Sequence, residues 1–149
     1  MNQPGFSCLI SARGYAAFGL AITMLVLVGC ASNNETTRDL KTGAEVYAET
    51  CFACHGTGVL EAPRYQDAVH WEPLLQEGQI LLSAHGWVGL GNMPPQGGNP
   101  NLSLEEFSRA VAHMGRGVGV DWADPTPEML DAIREEIVAR RKELAKEDH

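Results

Sequence analysis

The sequence predicts an all-α fold, and three observations carry that expectation. Two capping boxes, Thr42-Gly43-Ala44-Glu45 and Ser103-Leu104-Glu105-Glu106, each stand at the head of an apolar stripe with helical spacing. Thr126-Pro127 opens a third such segment, with Thr as N-cap and Pro at the first helical position. No strand pattern is legible ahead of Cys51.

Composition bounds the rest. The 149 residues are 44% hydrophobic, 20% charged and 7% aromatic, a globular balance that excludes a disordered or collagen-like chain and suits one domain. The net charge is −8 with 11 Lys and Arg in all, which argues against nucleic acid, since phosphate binding needs clustered cations.

In chain order, the first feature is the uncharged run Tyr15 to Val28, preceded by Arg13. It is shorter than the roughly twenty apolar residues of a stable membrane span and has the length of a signal-peptide core. Leu27-Val28-Gly29-Cys30 follows, then the polar Ala31 to Thr37. This stretch resembles the bacterial lipoprotein signal, although its start, Met1 to Gly14, is long and weakly charged for one. The resemblance implies that residues 1–29 are cleaved, that Cys30 is lipidated, and that 30–39 is a polar linker. The alternative is a plain membrane anchor with an incidental Cys. On the lipoprotein reading Cys8 leaves with the signal and Cys30 carries lipid, so Cys51 and Cys54 remain with no spare pair for a structural disulfide.

The first capping box places a helix from near Thr42 into Cys51, with Leu40, Ala44, Tyr47 and Cys51 on one face and Gly43 open to a close helix crossing. It delivers Cys51-Phe52-Ala53-Cys54-His55, a C-x-x-C-H sequence. Two thiols three positions apart on one turn can both reach the vinyl groups of a single porphyrin, and the next residue then presents its imidazole to the iron. The motif is the attachment signal of c-type haem. One covalent haem c is therefore the expected cofactor, with Cys51 and Cys54 as attachment residues and His55 as an iron ligand. A thioredoxin-like dithiol would want a preceding strand, and a structural zinc site would want two more ligands. The second box starts a helix with Leu102 and Phe107 as a hydrophobic staple and Phe107, Ala110, Val111 and Met114 as its stripe.

Between these helices lies Gly91-Asn92-Met93-Pro94-Pro95-Gln96-Gly97-Gly98, too rich in Gly and Pro for regular structure. Two prolines directly after Met93 stiffen the chain, which suits a fixed thioether facing the iron; a core gap-filler is the other role for a Met. His85 is the rival ligand, while His70, His113 and His149 read as surface or propionate-facing groups.

At this point the chain resembles class I c-type cytochromes, most of all the bacterial c-five subgroup. The shared pieces are Gly43-x-x-Val46-Tyr47, the C-x-x-C-H sequence, Gly58-Val59, Ala62-Pro63, Trp71, Met93-Pro94-Pro95-x-Gly97-Gly98, Leu102-Ser103-x-Glu105-Glu106 and Ala110-Val111. The resemblance implies a small haem-wrapping fold over residues 40–116, Met93 as the distal ligand, and the Pro63 carbonyl as acceptor for the His55 ring, a contact that orients a ligating imidazole. Two departures stand out. The subgroup often carries a disulfide near the Met loop, where this chain has no Cys, and Leu74 replaces a commonly basic residue.

Residues 117–149 extend beyond the resemblance. After Gly115, Gly117 and Gly119, the segment from Thr126 sets Leu130, Ile133, Ile137 and Leu144 on one face of an amphipathic helix. With 5 basic and 9 acidic residues it is no basic membrane-binding helix, and packing on its own domain is the simpler fate. The function expected is electron transfer between redox partner proteins, by a carrier or as a subunit of a larger redox complex. The domain would stand on the periplasmic side of a bacterial envelope, held by a lipid anchor. A peroxidase-like or gas-binding role would need an open iron site and an acid–base constellation, and none is legible.

Overall fold

The structure is a computed structural model that describes residues 39–147. Cys8, the Tyr15–Val28 run, Cys30 and His149 lie outside the described residues, as does most of the polar linker. Among the described residues every regular element is helical, and the one β feature is an isolated bridge between Leu90 and Met93. The chain is all-α, as expected.

The capping box at Thr42 forms as the sequence predicts: Thr42 Oγ1 accepts from the Glu45 amide, and Glu45 Oε2 accepts from the Thr42 amide at 2.8 Å. Helix α1, Gly43–Val46, runs through a π-helical turn, Tyr47–Cys51, into α2, Phe52–His55. The buried face keeps Gly43, Tyr47 and Cys51 as expected but differs at the other positions. It carries Gly43, Val46, Tyr47 and Cys51, whereas Leu40 and Ala44 are exposed. The reason is the crossing with α5, Leu104–Gly117: a Cβ on Gly43 would lie 2.1 Å from the Arg109 carbonyl oxygen. Only glycine lets the two backbones approach so closely, and that contact sets which side of α1 faces inward.

Two helices were not anticipated. Helix α3, Ala68–Leu75, is capped by Asp67, and α4, Gly78–Val88, follows it after a short corner. A tight bridge and a 3₁₀ turn, Pro95–Gly98, then lead to α5, where Ser103 and Glu106 form the second capping box. Helix α5 buries Phe107, Ala110, Val111 and Met114, its expected stripe, and Leu102 of the staple is buried too.

Helix α6, Pro127–Glu147, starts where Thr126 Oγ1 accepts from the Met129 amide. It packs on α4, with Leu130, Ile133 and Ile137 buried around Ala84, while Leu144 is half-buried. A fully buried Leu or Ile contributes about 2 kcal/mol, so this seam holds α6 to its own domain without a disulfide. A separate core joins α1, the π turn and α5 around Trp71 and Leu82. No described helix is long and apolar enough to cross a membrane.

Candidate haem site

A cavity of about 340 Å³, within the range of cofactor pockets, opens among α2, α3, α4, α5 and the loops that join them. Cys51, Cys54, His55, Pro63 and Met93 all line it, so one space brings together every site residue that the sequence singled out between 40 and 116. Its remaining wall is mostly apolar, with Val59, Leu82, Phe107, Val111 and Met114 prominent.

The wall that carries Cys51, Cys54 and His55 is built by the π turn, α2 and the loop after it. Cys51 is 6% exposed and Cys54 half-buried, and both are free thiols. Burial, and then the neighbouring Cys54, pushes the Cys51 thiol up to about 11. That direction is opposite to the lowered value of a redox-active dithiol. Zinc fares no better: no group of three or more His, Cys, Asp and Glu gathers into a metal site among the described residues.

His55 is buried, and its Nδ1 donates to the Pro63 carbonyl at 2.9 Å. A carbonyl can only accept, which puts the proton on Nδ1 and leaves Nε2 as the ring's lone-pair atom. The loop is pinned twice more. The Tyr65 amide donates to the His55 carbonyl at 2.6 Å, and the Trp71 indole donates to the Arg64 carbonyl at 2.8 Å.

Met93, also on the cavity lining, sits in a tight hairpin. The Leu90 amide donates to the Met93 carbonyl at 3.1 Å, and the Met93 amide returns a bond to Leu90 at 2.9 Å. Asn99 Nδ2 reaches Thr50 Oγ1 at 3.2 Å, tying the loop beyond Met93 to the π turn that carries Cys51. The Met93 methyl sits 3.4 Å from where a Cβ on Gly86 would be, so α4 backs the thioether at close range.

The other histidines separate cleanly. His85 lines the same cavity, with Nδ1 held by Glu77 at 2.7 Å. His70 is exposed and paired with Asp67. His113 stacks on Tyr65 with ring centres 5.3 Å apart, and its pKa is lowered, chiefly by burial and further by Arg116.

Sequence reasoning missed the cavity rim. The 3₁₀ turn Val59–Glu61 carries Leu60 and Glu61 at φ 53° and 63°, a left-handed pair in which the Leu60 side chain stays 66% exposed. Asn92 Nδ2 donates to the Leu60 carbonyl at 3.3 Å, linking this rim to the Met93 hairpin. Neither Leu nor Glu signals a left-handed backbone, so nothing in the sequence marked the turn. Leu82 and Gly86 were missed because α4 itself was.

These residues fit a covalently held haem. Two unpaired thiols and an imidazole of fixed tautomer stand on one wall of an apolar cavity with a thioether among its other lining groups.

Comparison with known proteins points the same way. Residues 38–114 match the family described as cytochrome c oxidase, cbb3-type, subunit III. Cytochrome c-555 of Chlorobaculum tepidum is 37% identical over 95 residues, covering 59% of this chain and 88% of the relative. Cytochrome c5 of Azotobacter vinelandii is 37% identical over 76 residues, covering 50% and 92%. A chain in the crystal structure of an electron transfer complex of nitrite reductase with cytochrome c is 36% identical and covers 51% of this chain and 93% of that chain, with a TM-score of 0.49. The chain thus belongs to the cytochrome c oxidase, cbb3-type, subunit III family, and is a monohaem c-type cytochrome that holds one covalent haem c and transfers electrons.

Proposed function

We propose that this cytochrome is a closed-site electron carrier in which His55 Nε2 and the Met93 thioether are the two axial ligands. The observation that carries the reading is that both side chains line one cavity with Cys51 and Cys54. The His55 ring is oriented by Pro63, and Met93 is held by its two-way bridge with Leu90 and followed directly by Pro94 and Pro95. Haem bound there supplies one-electron ferrous–ferric chemistry, and Met ligation raises its potential. The chain's own part would be to orient the imidazole, to hold the thioether in the same cavity, and to exclude water with Leu82, Phe107 and Val111.

Residues 1–29 form a cleaved lipoprotein signal in this account, Cys30 bears the lipid, and 30–39 is a linker to the haem domain at 40–116. The anchor keeps that domain on the periplasmic side of a bacterial envelope. Other redox proteins are the partners, and the extension at 117–149 leaves room for a place in a larger redox complex.

The test is the visible and near-infrared spectrum of the wild-type holoprotein. A weak near-infrared sulfur-to-iron band in the ferric state, with little carbon monoxide bound by the ferrous state at neutral pH, is the expected result. Avid carbon monoxide binding would replace the carrier reading with a catalytic or sensory one.

A further inference from the structure

We propose that α6, which begins beyond the matched residues 38–114, is a positioning element of the haem site that acts through α4. The inference rests on the reading of Met93 as distal ligand.

Helix α4 has two working faces. Leu82, His85 and Gly86, spaced i, i+3 and i+4, line the cavity. Ile80, Ala84, Trp87 and Val88, spaced i, i+4, i+7 and i+8, meet α6. Ala84 and Ile133 are both 0% exposed, so the seam between the helices is dry and close-packed at its centre. The last turn of α4 ends at Gly89, whose amide donates to the His85 carbonyl at 2.9 Å, and the next four residues bring the chain to Met93. Trp87 carries the contact across, because it also packs edge-on against Phe107 with ring centres 5.5 Å apart, and Phe107 lines the cavity.

The extension is also latched to the core independently of its apolar stripe. Gln79 Nε2, on a buried side chain of α4, donates to the Ala123 carbonyl at 2.8 Å. Arg116 Nη1 donates to the Trp122 carbonyl at 2.7 Å and its Nη2 pairs with Asp124 at 3.1 Å. Trp122 lies over Gly115, where a Cβ would meet the indole at 2.3 Å. These bonds fix the connection to α6 at both α4 and α5. A close-packed interior transmits displacement, so a loosened α6 lets α4 move and with it the Gly86 backing of the Met93 methyl.

The test uses the full-length holoprotein with three substitutions. Ile133→Ala opens a void in the α4–α6 seam, and Ile133→Val opens a smaller one. Thr42→Ala removes the α1 cap, far from that seam, at a stability cost comparable to Ile133→Val. Three quantities are read: the ferric near-infrared band, the rate at which ferrous protein binds carbon monoxide, and amide exchange at Leu90 and Met93. In Ile133→Ala the band weakens while carbon monoxide binding and both exchange rates rise about tenfold. In Ile133→Val the rises are about two- to threefold, and Thr42→Ala stays at the wild-type values. Wild-type values in both Ile133 variants, or an equal rise in Thr42→Ala, would overturn the inference alone. A wild-type protein with no such band overturns the Met93 reading and this inference with it.

Discussion

Cys51 and Cys54 stand three positions apart with neither in a disulfide, so each sulfur is available for a thioether bond to the haem. Acid–acetone treatment is therefore expected to leave colour on the wild-type protein, with a mass of the apoprotein plus one haem. Replacing both Cys51 and Cys54 by Ala is expected to make the haem extractable. His113 gives the residue-scale pH dependence. Its pKa in the fold lies below the ordinary value near 6.5, mainly through burial, so folding favours the neutral ring. The unfolded chain then binds more protons between the two values, and stability present above about pH 6.5 is lost as pH falls through the folded pKa. Denaturant titrations should show that acid limb, and His113→Gln should flatten it.

Among the elements, the α1–α5 crossing is the least forgiving. Gly43→Ala drives a methyl group against the Arg109 carbonyl and is expected to cost about 3 kcal/mol in denaturant unfolding. Ser103→Ala removes one half of a capping box and should cost about 1 kcal/mol. Both helix starts were legible because capping is local chemistry written in four consecutive residues. The C-x-x-C-H sequence was legible for the same reason. Helix α4 was not, since one of its faces meets the cavity and the other meets α6; its run of Ile80, Leu81 and Leu82 therefore shows no polar–apolar rhythm. On α1 the close crossing at Gly43 was legible, but Leu40 and Ala44 were placed on the buried face where Val46 lies, because spacing alone does not fix how the helix is rotated at that crossing. The left-handed pair Leu60–Glu61 follows from tertiary bonds such as Asn92 to Leu60, which no local pattern announces.

Over the whole molecule, location and electron transfer are separable. If Cys30 bears lipid, wild-type protein partitions with membranes and Cys30→Ser is released or left unprocessed; fractionation with unchanged processing and membrane association in the variant would remove the anchor and leave the haem domain untouched. Two or more acyl chains anchor stably where one is marginal, so the wild-type association should survive high salt. The proposed carrier role turns on whether Met93 or His85 is the second iron ligand beside His55. Paired potentiometric titrations of Met93→Ala and His85→Ala beside the wild type test that most directly. The account predicts that Met93→Ala loses the near-infrared band, falls in potential and binds carbon monoxide rapidly, while His85→Ala keeps the band and a closed iron. Retention of band and potential in Met93→Ala, with their loss in His85→Ala, would contradict it.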